Sequence, residues 1–174
     1  GAALLLDGWA LLSRPDLRVA EEALRRWLAA AALVVPHGAG GRVVVGAETG
    51  LPVVQALLRW DPAWHAGVEL DGRTEVGFPP AVRMAAVDGV ARAVAEVLAG
   101  LPDDVEVLGP VELDEPAAGA EPDEEAGPRE RALLRVPRAR GKALGAALHE
   151  AQAARSMRKA TDPVRVRLDP VEIG

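Results

Sequence analysis

Two adjacent prolines, Pro79 and Pro80, constrain the fold of this 174-residue chain more than any other feature. A proline fixes its own φ, offers no backbone N–H and pushes the residue before it out of the helical region. The segment "FPP" therefore ends any helix that reaches it and predicts an extended stretch. After it the periodicity becomes regular. "AVRMAAVD" reads as a strand, "GVARAVAEVLAGL" as a helix closed by Gly100, and "VEVLGPVEL" as a strand. "RALLRVP", "GKALGAALHEAQAARSMRK" and "VRVRLDPVEI" then read as strand, helix and strand. The order β-α-β-β-α-β predicts an antiparallel four-stranded sheet with two helices on one face. Val164, Val166 and Leu168 alternate with Arg165 and Arg167, so one side of the last strand is expected to meet the helices and the other to meet water. That open side is where a partner is expected.

Before the prolines, "ALLLD" reads as a buried strand. "RPDLRVAEEALRRWLAAAAL" reads as a helix opened by Ser13 or Asp16, with Leu17, Ala20, Leu24, Trp27 and Ala31 on one face. "HGAGG" reads as a turn and "RVVVGA" as a strand. "GLPVVQALLRWDPAWHAGVELDGRTEVGF" contains a helix with Pro52 in its first turn and a second helical stretch around Trp64 and Leu70. The apolar start has no basic residues before it and no initiator Met, so it reads as an internal strand and the chain as the C-terminal part of something longer.

Charge is segregated along the chain. The net charge of −6 argues against nucleic acid only until its distribution is seen. Glu96 to Glu125 holds eleven acidic side chains and no basic one, whereas Arg129 to Arg167 holds eleven basic side chains against Glu130, Glu150 and Asp162. The acidic stretch "ELDEPAAGAEPDEEAGPRE" is expected to be a solvated, mobile hairpin loop. The chain has no Cys, which removes disulfides and cysteine-ligated metal sites and fits a reducing, cytoplasmic setting. No apolar run approaches the roughly 18 residues of a membrane span, so no membrane partner is expected.

Most catalytic motifs fail on inspection. "HGAGGR" precedes a strand, whereas a phosphate loop must open a helix. In "RGKALG", Val136 stands where a P-loop needs its first glycine and Ala143 where it needs Ser or Thr. His37, His65 and His149 have no partner at metal-ligand spacing and are expected at the surface or its rim. Neither serine sits in a nucleophile elbow. Trp60 and Trp64, four apart on one expected helix, read as packing residues rather than base-stacking platforms. The basic region stands above this background. Arg135, Arg138, Arg140 and Lys142 lie at a strand end and the following turn, and Arg155, Arg158 and Lys159 at the end of the last helix. The latter trio either complements the helix dipole or, with the others, forms a phosphate-contacting patch.

"ELDGRTEVGFPPAVRMAAV", "VLGPVEL" and "VRVRLDPVEIG", in this order and spacing, resemble the C-terminal third of the primosomal protein N′ family, the PriA replication-restart helicases. Arg167 departs from the family, which usually carries an acidic residue before the Asp-Pro. The resemblance implies an α/β chain in which residues 1–50 end a second RecA-like helicase lobe. Residues 51–78 would be connecting helices and 79–174 a ferredoxin-like (βαββαβ) DNA-binding domain. It implies single-stranded and forked DNA as partners, together with primosome proteins, a replicative helicase loader and single-strand-binding protein. ATP, magnesium and zinc would be bound by parts of the family outside this chain, leaving no cofactor here.

The resemblance also gives meaning to the stretch between Arg26 and Arg42, which contains no arginine. Active members carry Gln-x-x-Gly-Arg-x-Gly-Arg here, whose arginines stabilise charge on the ATP phosphates. Laid on this chain without gaps, the motif falls on Ala29 to Pro36, placing Ala32 at its first glycine and Leu33 and Pro36 at its arginines. The expectation is a degenerate ATP-dependent helicase lobe kept as scaffold, in a DNA-binding replication-restart protein that recognises abandoned forks and promotes primosome assembly without helicase activity of its own. Two alternatives stand beside it: a protein-interaction scaffold of the primosome, and an active ATP-dependent 3′-5′ DNA helicase.

Overall fold

Strand β1, Ala2–Leu5, pairs in parallel with β2, Arg42–Val45, from Ala2 opposite Arg42 to Leu5 opposite Val45. A parallel pair needs a crossover connection. Here it contains α1, Gly8–Leu12, which the sequence reading missed, α2, Val19–Ala31, and a 3₁₀ turn at His37–Ala39. The structure, a computed structural model, describes residues 1–113 and 128–171. The chain divides into two units, Gly1–Gly72 with Val171–Gly174, and Arg73–Pro170.

In the first unit, Asp16 accepts the Arg18 N–H at 2.7 Å just before α2, and Glu21 and Glu22 occupy its first turn, where the helix dipole favours anions. Ala23, Leu24, Trp27 and Ala31 recur at helical spacing and are buried against Val53, Val54, Ala56 and Leu57 of α3, Pro52–Arg59. Leu5 and Val45 join this core, but Leu4 is 64% exposed and Val44 52%. The expected buried strand at "ALLLD" is thus a half-exposed one. Alternation sends every second side chain away from the core that the helices build on the other face. Trp60, in the left-handed region at φ 56, closes α3, and Pro62 opens α4, Pro62–Val76. The two tryptophans therefore lie on different elements and are exposed, at 55% for Trp60 and 37% for Trp64, with the Arg59 guanidinium 4.9 Å from the Trp64 ring. Neither packs in the core as the sequence reading expected.

The second unit follows the order expected after the prolines, except that the prolines themselves form a turn. The Pro79–Pro80 bond is cis, and the Ala81 N–H donates to the Phe78 carbonyl at 3.1 Å, which replaces the predicted extended stretch. Then come β3, Val82–Val90, α5, Ala91–Ala99, β4, Glu106–Glu112, β5, Arg129–Pro137, a 3₁₀ turn at Arg138–Arg140, α6, Gly141–Met157, and β6, Arg165–Leu168. The sheet order is β4-β5-β3-β6, every pair antiparallel. Ala85 and Val87 of β3 and Ala132, Leu134 and Val136 of β5 form one core with Val94 and Val97 of α5 and Leu144 and Leu148 of α6. Both helices therefore cover the same sheet face. Each large apolar side chain buried there contributes about 1.5–3 kcal/mol. Val164 and Val166 pack on this core as expected, whereas Leu168 at the strand end is 59% exposed. The acidic loop expected over Glu112–Glu125 lies outside the described residues from position 114 onward.

Candidate nucleic-acid interface

The seven cations singled out in the sequence fall at the two ends of α6, with Arg135 on β5 behind them. Seventeen residues at about 1.5 Å each separate those ends by about 25 Å, so they form two groups rather than one patch. At the N-terminal end, Arg138 and Lys142 are exposed, and their side chains have no ion-pair partner among the described residues. Arg140 pairs with Asp104 at 2.6 Å, both side chains half exposed. An ion pair so open to solvent is worth about 0–1 kcal/mol, and a phosphate oxygen can replace the carboxylate at little cost. Arg135 is committed to the fold. Its Nε and Nη2 grip Glu106 at 2.8 and 2.6 Å, and Nη1 donates to the carbonyls of Val76 and Gly77 at the end of α4. The guanidinium in turn holds the Glu106 carboxyl below the ordinary glutamate range.

At the C-terminal end, Arg155 is buried and bonds both Glu96 of α5 and the Asp162 carbonyl, the latter at 2.8 Å. It ties α6 to α5 and to the loop that leads into β6. Arg158 and Lys159 are exposed, Arg158 lying 3.6 Å from Glu96 and Lys159 turning the chain at φ 54. Exposed cations thus stand at both ends of the helix, while two of the seven, Arg135 and Arg155, carry structural bonds.

The sheet face opposite the helices holds charges that the sequence reading did not select. Asp88 of β3 sits opposite Arg131 of β5 and Arg165 of β6. Arg131 grips it through Nε at 2.8 Å and Nη2 at 3.1 Å, and Arg167 adds Nη2 at 2.8 Å. Burial pushes the Asp88 carboxyl upward, but the Arg131 and Arg167 guanidiniums outweigh it and hold the group below its ordinary range. Arg167 does not reach into open water as the alternation predicted, because Asp88 draws its side chain onto the sheet, leaving it 27% exposed. The available signal was a lone acid inside an apolar strand, opposite two arginine-bearing strands.

His65 is another departure from expectation. It is 2% exposed rather than at the rim, its Nε2 lies 3.9 Å from Glu69, and that nitrogen has no hydrogen-bond partner among the described residues. His37 and His149 are exposed as expected. Among the described residues no cluster of His, Asp and Glu could hold a metal, and no helix is long and apolar enough to cross a membrane.

The first unit holds the segment read as a degenerate arginine motif. Leu33 is 88% exposed and Val35 46%, and a groove of about 560 Å³ is lined by Val34, Val35, Pro36, His37, Arg42 and Trp60, among others.

Taken together, the geometry defines an α/β chain with exposed cations at both ends of one helix of an antiparallel sheet domain. Residues 74–171 match the family described as primosomal protein N C-terminal domain, and the chain belongs to that family. It is 53% identical over 176 residues to a probable replication restart protein PriA of Mycobacterium leprae (strain TN), with 100% of this chain and 27% of that relative covered. The probable replication restart protein PriA of Mycobacterium tuberculosis (strain ATCC 25618 / H37Rv) is 51% identical over 186 residues, covering 100% of this chain and 28% of the relative. The chain spans about a quarter of the length of these curated relatives.

Proposed function

We propose that this chain serves replication restart by holding DNA through its phosphates at the two ends of α6, without helicase chemistry of its own. Arg138, Arg140 and Lys142 form one group and Arg158 and Lys159 the other; Arg135 and Arg155 hold the framework on which they stand. The reading treats Arg73–Pro170 as a ferredoxin-like domain, supported by its strand order and by two helices on one sheet face. It treats the parallel β1–β2 unit as the end of a RecA-like lobe. Forked DNA, primosome proteins, a helicase loader and single-strand-binding protein are the proposed partners. The observation that carries the reading is Arg138 and Lys142, exposed and without an ion-pair partner among the described residues, in a member of a replication-restart family. Such contacts position a strand without reading its bases. Forked and single-stranded DNA affinities across a salt series test it: the logarithm of affinity should fall linearly with the logarithm of salt for every sequence alike. Absence of binding at low salt counts against it.

An active motor is the second reading, and among the described residues Arg42 is the guanidinium that lines the groove beside Pro36. In that reading the arginine supplies the charge that Leu33 and Pro36 cannot. Phosphate release from ATP in the presence of forked DNA, abolished by Arg42→Ala, would establish it in place of the passive reading.

A further inference from the structure

The cations at the ends of α6 leave the opposite sheet face unused. One carboxylate, Asp88, stands among three guanidiniums: Arg131 and Arg165 lie directly across from it on the neighbouring strands, and Arg167 bonds it from β6. Both Asp88 oxygens are taken by Arg131 and Arg167. Nothing in that row neutralises Arg165, which is exposed and has no side-chain partner among the described residues. The Nε–H of Arg167 is buried and meets no acceptor among the described residues, although a guanidinium fork offers two parallel donors to one anion. A buried donor without an acceptor is costly, so the Arg167 guanidinium, 27% exposed, is held on this face with its hydrogen-bonding capacity incompletely used.

We propose that Arg165 and Arg167 form a second phosphodiester-binding site on this sheet face, with Asp88 as the positioning carboxylate that fixes the Arg167 guanidinium. The ligand class is the nucleic-acid backbone. Base stacking has no platform here, because the five aromatic residues, Trp9, Trp27, Trp60, Trp64 and Phe78, all lie outside the strands of this sheet. The surface facing the ligand is instead aliphatic and charged: Ala86 lies across from Arg167 with Leu133 beyond it, and Asp88 lies across from Arg165 with Arg131 beyond it. A strand held here is read by charge alone. This site extends the proposed DNA-holding role and uses none of the residues assigned to the helix ends.

The test uses the full chain and two probes. With oligothymidylate, each lost phosphate contact on single strands lowers the log–log salt slope by about 0.7, so Arg165→Ala with Arg167→Ala should lower it by about 1.4. Arg165→Ala alone, at an exposed position, should lower it by half as much with an unchanged thermal midpoint. With inorganic pyrophosphate, the Nε resonances of Arg165 and Arg167 should shift on titration of ¹⁵N-arginine-labelled protein. A slope unmoved in folded Arg165→Ala, or Nε signals unmoved by pyrophosphate, overturns the site. Pyrophosphate shifts without any change of slope also overturn it, since they leave a free-anion site and no backbone contact. The helix-end reading is tested separately: if reversing Arg138, Arg140 and Lys142 changes nothing while the sheet-face variants lower the slope, the helix-end reading falls and this one stands.

Discussion

Asp88 shows how one side chain decides the behaviour of its neighbours. Two guanidiniums reach it from different strands, and removing it takes away the carboxylate that Arg131 and Arg167 share. Breaking such a buried pair costs roughly 3 kcal/mol, so Asp88→Ala should lower the urea unfolding free energy by about that amount. Because its carboxyl is held below the ordinary aspartate range, the stabilisation is complete above the unfolded pKa of about 3.9 and disappears as pH falls through the folded value. Asp162 behaves alike, held down by the Arg92 guanidinium. Acid titration of stability should therefore be steeper in the wild type than in Asp88→Asn below about pH 4, and equal slopes there would contradict the assignment. The two arginines near the end of α6 should separate cleanly. Arg155→Ala removes a buried guanidinium and the bonds that tie α6 to Glu96 and to the Asp162 carbonyl and should cost about 2–3 kcal/mol, whereas Arg158→Ala should stay within about 0.5 kcal/mol and show its effect in DNA affinity.

At the scale of elements, helix α6 separates its cationic ends by about 25 Å, too far for one phosphate to feel both. Their contributions should add: Arg138→Ala with Lys142→Ala, and Arg158→Ala with Lys159→Ala, should change the logarithm of affinity by amounts whose sum the quadruple variant reproduces. A large deviation would mean one shared site. The turn before β2 has a different weakness. A methyl group at Gly41 would run into the Val35 carbonyl, a backbone atom that cannot step aside, so Gly41→Ala should destabilise the first unit while leaving the sheet domain's thermal transition in place.

Much of this architecture could be read from periodicity. The β-α-β-β-α-β order, Gly100 closing α5, Pro52 in the first turn of α3 and the core face of α2 all follow from spacing and turn chemistry. What could not be read depends on partners distant in sequence. Arg135 looks like any strand-end cation until Glu106 and the end of α4 come to it. Arg155 looks like a dipole-capping residue until α5 brings Glu96 against it. His65 gave no sign of burial, and the break at Trp60 depends on a left-handed backbone that its sequence does not advertise.

At the scale of the whole molecule, the boundary after Gly72 falls inside α4, and the family match begins at residue 74. A chain comprising residues 73–171 should then unfold cooperatively by itself, because the described residues of its core all lie between positions 85 and 166. A broad, uncooperative melt would show that the first unit completes it. The account as a whole holds that exposed arginines and lysines grip DNA passively while the first unit supplies no fuel chemistry. The direct measurement is the salt dependence of single-strand affinity in the wild type and in the Arg138→Glu, Arg140→Glu, Lys142→Glu variant. The account predicts a log–log slope of about −3 or steeper in the wild type, shallower by about 2 in the variant, for every base sequence. A flat wild-type slope, or a variant indistinguishable from it, would contradict the account.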